Sequence, residues 1–299
     1  MILLTGITGK SGKYLLRNLT KSKSFLNKQN YRAIVRTTSN TELIDNSGLK
    51  IEKIYGDLED EAFLTEALKN IDTVLHITGI GMSLKMVKAA LKNRVKWIIL
   101  VHTTGIYSKH KSASQAYLTT EKKIQQFTKK SDLAVTILRP TMIYGSINDK
   151  NVATFIKMVD KLRIFPVVSQ AKFPLQPVHA KDLGKAYYQV LLNEKTTRSK
   201  NYILSGQSPI MLIDMFKVIE KHLNKKNLYL SIPFPLAYIG SYLLYLMSFK
   251  KIDYRERVQR LVEPRAFSHK DASQDFGYSP VSFEQGVKAE VEEYIESKK

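Results

Sequence analysis

The chain has 299 residues, 43% of them hydrophobic, enough to bury a large core as one α/β unit or as one domain plus a lobe. With no cysteine it can form no disulfide, thiolate metal site, iron–sulfur cluster or cysteine nucleophile, and it suits a reducing compartment. Its 47 Lys and Arg against 27 Asp and Glu give a net charge of +20, which favours anionic partners. The basic residues are scattered, however, without the aromatic or glycine pattern of an RNA-recognition module. A lysine-rich solvated surface is therefore expected rather than a specific nucleic-acid site.

The apolar run at 2–4 breaks into Thr5-Gly6-Ile7-Thr8-Gly9-Lys10-Ser11-Gly12 and continues as a helical pattern through Tyr14, Leu15, Leu16, Asn18 and Leu19. A strand that turns through glycines three apart into a helix offers bare backbone N–H groups at a positive helix end, where a pyrophosphate can sit. Because this strand starts at the first residue, no export leader fits before it, and a cytoplasmic location is expected.

Further β-rich runs follow at 31–35, 51–55, 73–77, 97–101 and 134–138. Amphipathic stretches such as 62–68 and 84–91, with a period of about 3.6, separate them. Such alternation predicts an α/β fold with a doubly wound parallel sheet. After Tyr144-Gly145 the regularity weakens. A helix is expected over 151–162, then a proline-bearing loop, a helix over about 180–192 after Pro177-Val178-His179, and a strand at 201–204. Residues 1–205 should form the nucleotide-binding domain, with an excursion at about 146–175, and 206–299 a smaller, mostly helical lobe above it.

Within that lobe, 232–249 contains a nearly unbroken apolar run at 236–247, followed by Lys250-Lys251 and by Arg255, Arg257 and Arg260. Apolar residues on all sides suit a helix buried in the lobe or at a dimer contact, which is the expectation here. The trailing cations also suit shallow insertion into an anionic bilayer, making peripheral membrane contact the other reading.

Together these motifs resemble the short-chain dehydrogenase/reductase superfamily, especially its extended and atypical members related to NAD-dependent epimerases and dehydratases. The wide Gly-x-x-Gly-x-x-Gly spacing carries the resemblance first. Leu138-Arg139-Pro140-Thr141-Met142-Ile143-Tyr144-Gly145, the segment Gln176-Pro177-Val178-His179-Ala180-Lys181-Asp182-Leu183 and the closing Asp275-Phe276-Gly277-Tyr278-Ser279-Pro280 extend it. It implies a Rossmann domain holding NAD(P) at Gly6, Thr8, Gly9, Lys10 and Gly12. The second strand ends in Arg36, where an acid would hold a ribose 2′-hydroxyl and a cation accommodates a 2′-phosphate, so NADP is expected over NAD. Asp57 and Leu58 stand at the adenine-contacting segment, although Asp57 could equally cap a helix beginning near Glu59. Thr78 and Gly79 stand beside the ribose, and Pro140 and Thr141 near the nicotinamide.

The superfamily's catalytic set is a Ser or Thr, a Tyr, and a Lys four residues later. Thr103 in Val101-His102-Thr103-Thr104-Gly105-Ile106-Tyr107 matches the hydroxyl and Tyr117 the tyrosine, but Glu121 occupies the lysine position. A carboxylate there opposes a phenolate rather than supporting it, and Lys122 would have to reach back around the helix. Epimerases carry an arginine four residues before the matching His179, where this chain has Leu175, and His179 itself is expected to pack or cap. His76 and His102 follow no metal-ligand spacing, and no metal site is expected.

The resemblance implies an NADP(H)-dependent oxidoreductase or epimerase-like enzyme for a sugar-derived or other polar carbonyl or alcohol. The alternative is a non-catalytic NADP(H)-binding redox sensor or membrane-associated assembly factor. Oligomerisation is compatible with either.

Overall fold

A computed structural model of the chain describes residues 1–298. Seven strands form one parallel sheet: β1 (Ile2–Thr5), β2 (Tyr31–Val35), β3 (Ile51–Tyr55), β4 (Thr73–His76), β5 (Trp97–Val101), β6 (Ala134–Pro140) and a last strand, Asn201–Leu204. Their spatial order is Asn201–Leu204, β6, β5, β4, β1, β2, β3. The order reverses between β1 and β4, which pair Leu4 with Leu75. The connections leaving their carboxyl ends therefore run to opposite sides and open a crevice there.

Strand residues alternate between two cores. Leu4 packs with Leu15, Tyr31, Trp97, Leu183 and Tyr187 under the helices Gly12–Lys21 and Ala180–Leu192. Its neighbour Leu3 packs with Leu64, Val74, Met86 and Ile98 on the opposite face. Continuous apolar strands covered on both faces are what a buried parallel sheet requires.

The excursion after Tyr144 forms the helix Val152–Lys161 and the strand Ile164–Val168. With Leu212–Leu223 and Phe283–Glu296 they enclose a third core of Val152, Ile156, Phe165, Met215, Phe216 and Val287. The chain beyond 206 does not all belong to that lobe. Ala272, Phe276 and Tyr278 pack into the sheet's first core, and the Tyr278 hydroxyl donates to the Ser205 carbonyl at 2.8 Å.

The expectation that the 232–249 segment is buried in the lobe is corrected by the structure. Its helix, Phe234–Met247, has Ser241 as its only buried residue, and Leu236, Leu243 and Met247 are 61%, 52% and 79% exposed. The lobe core is already filled by its aromatic and branched residues. A helix apolar all round has no polar face to turn outward, so whatever the fold leaves uncovered is apolar.

Candidate functional site

The Gly-loop crosses the carboxyl end of β1 and enters the helix Gly12–Lys21. Gly6 has φ of +69°, and the Gly9 N–H donates to the Gly6 carbonyl at 3.0 Å, tightening the turn. A Cβ on Gly12 would lie 2.2 Å from the Gly6 carbonyl oxygen, so only glycine lets the helix start this close beneath the loop. Thr8, Gly9 and Lys10 are exposed above it, and Lys10 Nζ donates to the Asn148 carbonyl at 2.9 Å, bridging to the excursion.

From this loop a cleft of about 760 Å³ runs over the crevice. It is lined by Gly6, Thr8, Gly9 and Lys10 at one end, by Arg36, Asp57 and Leu58 at the other, and by Thr78 along its floor. The structure thus brings together eight of the residues expected to hold the cofactor. Gly79 sits next to Thr78, caps the helix Ile80–Lys92 with φ of +99°, and does not line the cleft. Asp57 is not a helix cap: the helix Glu61–Ala67 is capped by Asp60, whose Oδ1 accepts from Ala62 and Phe63 at 2.8 and 3.0 Å. Asp57 only accepts from the Glu59 N–H at 2.9 Å and remains exposed.

A second cavity, of about 320 Å³, adjoins the first, and Ile143 and Asn151 line both. Thr103 and Thr141 line it, as do Tyr107, Lys111, Arg260 and Arg265. Thr103 Oγ1 accepts from the Gly105 N–H at 3.0 Å, while Thr141 Oγ1 donates to the Gln176 carbonyl at 2.5 Å. Pro140 is buried one residue before, its carbonyl accepting from Thr104 Oγ1 at 3.2 Å.

Tyr117 lies in the first turn of the helix Ser114–Thr128 and does not line this cavity. Lys111 stands beside it, with Nζ 4.8 Å from the ring centroid. Glu121 faces elsewhere. Its carboxylate accepts from His102 Nδ1 at 2.8 Å and from Arg139 at 3.1 and 2.5 Å. Burial works against that charge, but the His102 and Arg139 hydrogen bonds outweigh it and hold the carboxyl below its ordinary range. Burial likewise pulls His102 down. The neutral ring donates through Nδ1 to Glu121 and accepts through Nε2 from Ser83 Oγ at 3.0 Å. Lys122 is exposed on a separate hollow with Leu118 and Gln125. Glu121 and Lys122 are therefore not assembled with Thr103.

Several residues at this cavity went unseen in the sequence. Lys111 follows Tyr107 by four positions, so the Tyr-x-x-x-Lys spacing does occur, in a turn segment rather than inside the helix that the resemblance singles out. Leu175 is 2% exposed and lines the cavity, but Arg265 pairs with it in a β-bridge, bringing a guanidinium back to this wall from a distant part of the chain. Burial, then the neighbouring Arg260 charge, lowers Arg265 to about 10. The Nε atoms of Arg260 and Arg265 have no hydrogen-bond partner among the described residues. The one acid here, Glu263, is engaged by Ser108 Oγ and the Lys109 N–H, both at 2.7 Å. His179 caps the helix Ala180–Leu192, its Nδ1 accepting from the Lys181 N–H at 3.0 Å, and burial lowers it to about 4.

Comparison with known proteins agrees with this geometry. A family model described as NAD(P)H-binding matches residues 6–162, more than half of the chain. No curated protein matches it in sequence. Among solved structures, the UDP-glucose 4-epimerase of Thermotoga maritima is similar with a TM-score of 0.72 at 18% identity, over 100% of this chain and 99% of that one. The NADPH-dependent quinone oxidoreductase of Escherichia coli, complexed with NADPH, gives 0.72 at 19% identity, over 99% and 100%. The triphenylmethane reductase of Citrobacter sp. gives 0.73 at 19% identity, over 97% and 99%. At such identities these likenesses establish the fold alone. With the Gly-loop cleft and the matched residues, the chain belongs to the NAD(P)H-binding family, on a Rossmann-like α/β fold with a parallel central sheet.

Proposed function

We propose that the protein is an NADP(H)-dependent oxidoreductase or epimerase-like enzyme acting on a small polar carbonyl or alcohol that carries negative charge. The observation that carries this reading is the junction at Ile143 and Asn151, where the cleft beginning at the Gly-loop meets the cavity lined by Thr103, Tyr107 and Lys111. NADP(H), when bound, supplies the hydride chemistry. Thr8 and Lys10 offer backbone N–H groups, and Lys10 also its ammonium, to its phosphates, and Arg36, at the far end of the cleft, supplies a cation for a 2′-phosphate. NADPH bound to the Escherichia coli quinone oxidoreductase supports the same choice.

In this reading Thr103 and Tyr107 present hydroxyls to the substrate oxygen. Lys111 supplies the positive charge that the helix position held by Glu121 does not. Tyr117 acts on the site through Lys111, whose ammonium its ring face seats by a cation–π contact. Arg260 and Arg265, each with an Nε in want of an acceptor, favour a carboxylate or phosphate on the substrate.

The test is NADPH oxidation, followed by absorbance, across a panel of carbonyl compounds with and without an acidic group. Turnover should favour the acidic members and fall at least about tenfold in Lys111→Met, a loss of roughly 1.4 kcal/mol of transition-state stabilisation. Undiminished turnover in Lys111→Met and Tyr107→Phe together would remove these roles. Cofactor binding without turnover of any carbonyl would favour a redox sensor, a reading that the engagement of Glu121 by Arg139 and His102 also suits.

A further inference from the structure

We propose that the helix Phe234–Met247 docks the protein onto an anionic phospholipid bilayer, lying in the interface rather than crossing it. The inference is independent of the cofactor and of the substrate.

Five large apolar side chains along this helix, Leu236, Ile239, Leu243, Leu246 and Met247, are 45–79% exposed, and Phe249 just beyond is 86% exposed. They share one face of the helix, and exposed Tyr242 and Leu244 widen that apolar face to about 200° of its circumference, so a second helix could cover only part of it, whereas a bilayer can bury all of it. At about 1.5 Å per residue the 14-residue helix reaches about 21 Å, short of a bilayer's hydrocarbon core. Among the described residues no helix is long and apolar enough to cross a membrane.

Charge selects the occupant. The helix carries no charged residue, and immediately beyond it come Lys250, Lys251 and Arg257, all exposed and without an ion pair among the described residues. Of the two acids nearby, Asp253 is bound by Arg255 and Glu256 accepts from the Ser112 N–H at 3.3 Å. Tyr242 and Tyr254, half-exposed at the polar edge, have the amphipathic character of side chains that settle at headgroup level. The strand directly before the helix, Leu228–Ile232, exposes Leu228 and Leu230, and its partner Ile164–Val168 exposes Ile164. An apolar body rimmed by unpaired cations is complementary to an acyl layer beneath anionic headgroups. A protein partner matching it would have to combine an apolar groove with an acidic rim.

The experiment is co-sedimentation of the whole protein with vesicles of phosphatidylcholine alone or mixed with phosphatidylglycerol. It is paired with a Leu243→Trp reporter, since the sole native tryptophan, Trp97, is 1% exposed inside the sheet. Mixed vesicles should pellet the protein at least about tenfold more strongly than neutral ones and shift the new indole emission to the blue. Lys250→Glu with Lys251→Glu should erase the preference for anionic vesicles, and Leu236→Glu with Leu243→Glu should abolish pelleting. Both pairs are solvent-exposed, and circular dichroism and cofactor affinity should stay unchanged. The proposal is overturned by failure to pellet with mixed vesicles, or by pelleting that the Leu236→Glu, Leu243→Glu variant retains. A lipid-free dimer that this variant dissociates would assign the helix to a second copy of the chain and overturn it equally.

Discussion

The Arg139 guanidinium grips both carboxylate oxygens of Glu121, through Nε at 3.1 Å and Nη2 at 2.5 Å, and holds it in a buried ion pair. The two side chains are 10% and 12% exposed, so neither charge can readily find water in its place. Glu121→Gln should cost about 3 kcal/mol in urea unfolding, the penalty of leaving a buried guanidinium without its counter-charge. Glu121→Lys, which restores the superfamily's residue, should destabilise more and gain no turnover, because it sets an ammonium against Arg139 and beside His102. Recovery of activity in Glu121→Lys would mean that the helix position still faces the site.

Asp60 and Asp57 separate stability from binding. Asp60→Ala removes the cap of Glu61–Ala67 and should lower stability by about 1 kcal/mol with cofactor affinity kept. Asp57→Ala should leave the melting temperature within about a degree and weaken cofactor binding. Thermal melts beside calorimetric titrations read both, and the opposite assignment would hand the adenine contact elsewhere.

Glu290 gives the fold a built-in response to alkali. Burial first, then the Asp149 charge and a hydrogen bond to it, raise Glu290 to about 9, so it stays protonated at neutral pH. A proton held between the two carboxyls satisfies Glu290 Oε1 and Asp149 Oδ2, which otherwise lack partners, while Glu290 Oε2 accepts from the Gly145 N–H at 2.8 Å. A folded-state pKa above the unfolded value means that the native protein binds the proton more tightly. The stabilisation is complete below about pH 4.3 and is lost as pH rises toward 9. Glu290→Gln keeps the acceptor for Gly145 and a donor for Asp149 without titrating. Its melting temperature should therefore fall less between pH 6 and 9 than that of the parent protein. Parallel curves would remove the shared proton.

Much of the fold was legible because its signals are local. The runs at 31–35, 51–55 and 97–101 became strands with the bounds that their apolar content gives, and the helix Ala180–Leu192 follows its period. The Gly-loop was equally plain, since a turn that tolerates no Cβ at Gly12 must advertise itself as glycine. The two-residue strands Ile143–Tyr144 and Val178–His179, which pair with each other, carry no periodic signal of their own. Lys111, Arg260 and Arg265 were invisible as site residues because loops and a distant helix bring them to one wall. The exposure of the helix Phe234–Met247 is not legible in the sequence, because composition reports that a helix is apolar, not whether the fold has anything left to cover it.

The central claim is that the crevice between β1 and β4 grips the pyrophosphate of a nicotinamide coenzyme, with Arg36 selecting the phosphorylated form. Calorimetric titration of NADPH and NADH into the purified protein and into Arg36→Asp tests it most directly. NADPH should bind the parent at least about tenfold more tightly than NADH, and Arg36→Asp should reverse or erase that preference. Heat from neither coenzyme, or an unaltered preference in Arg36→Asp, would contradict the account.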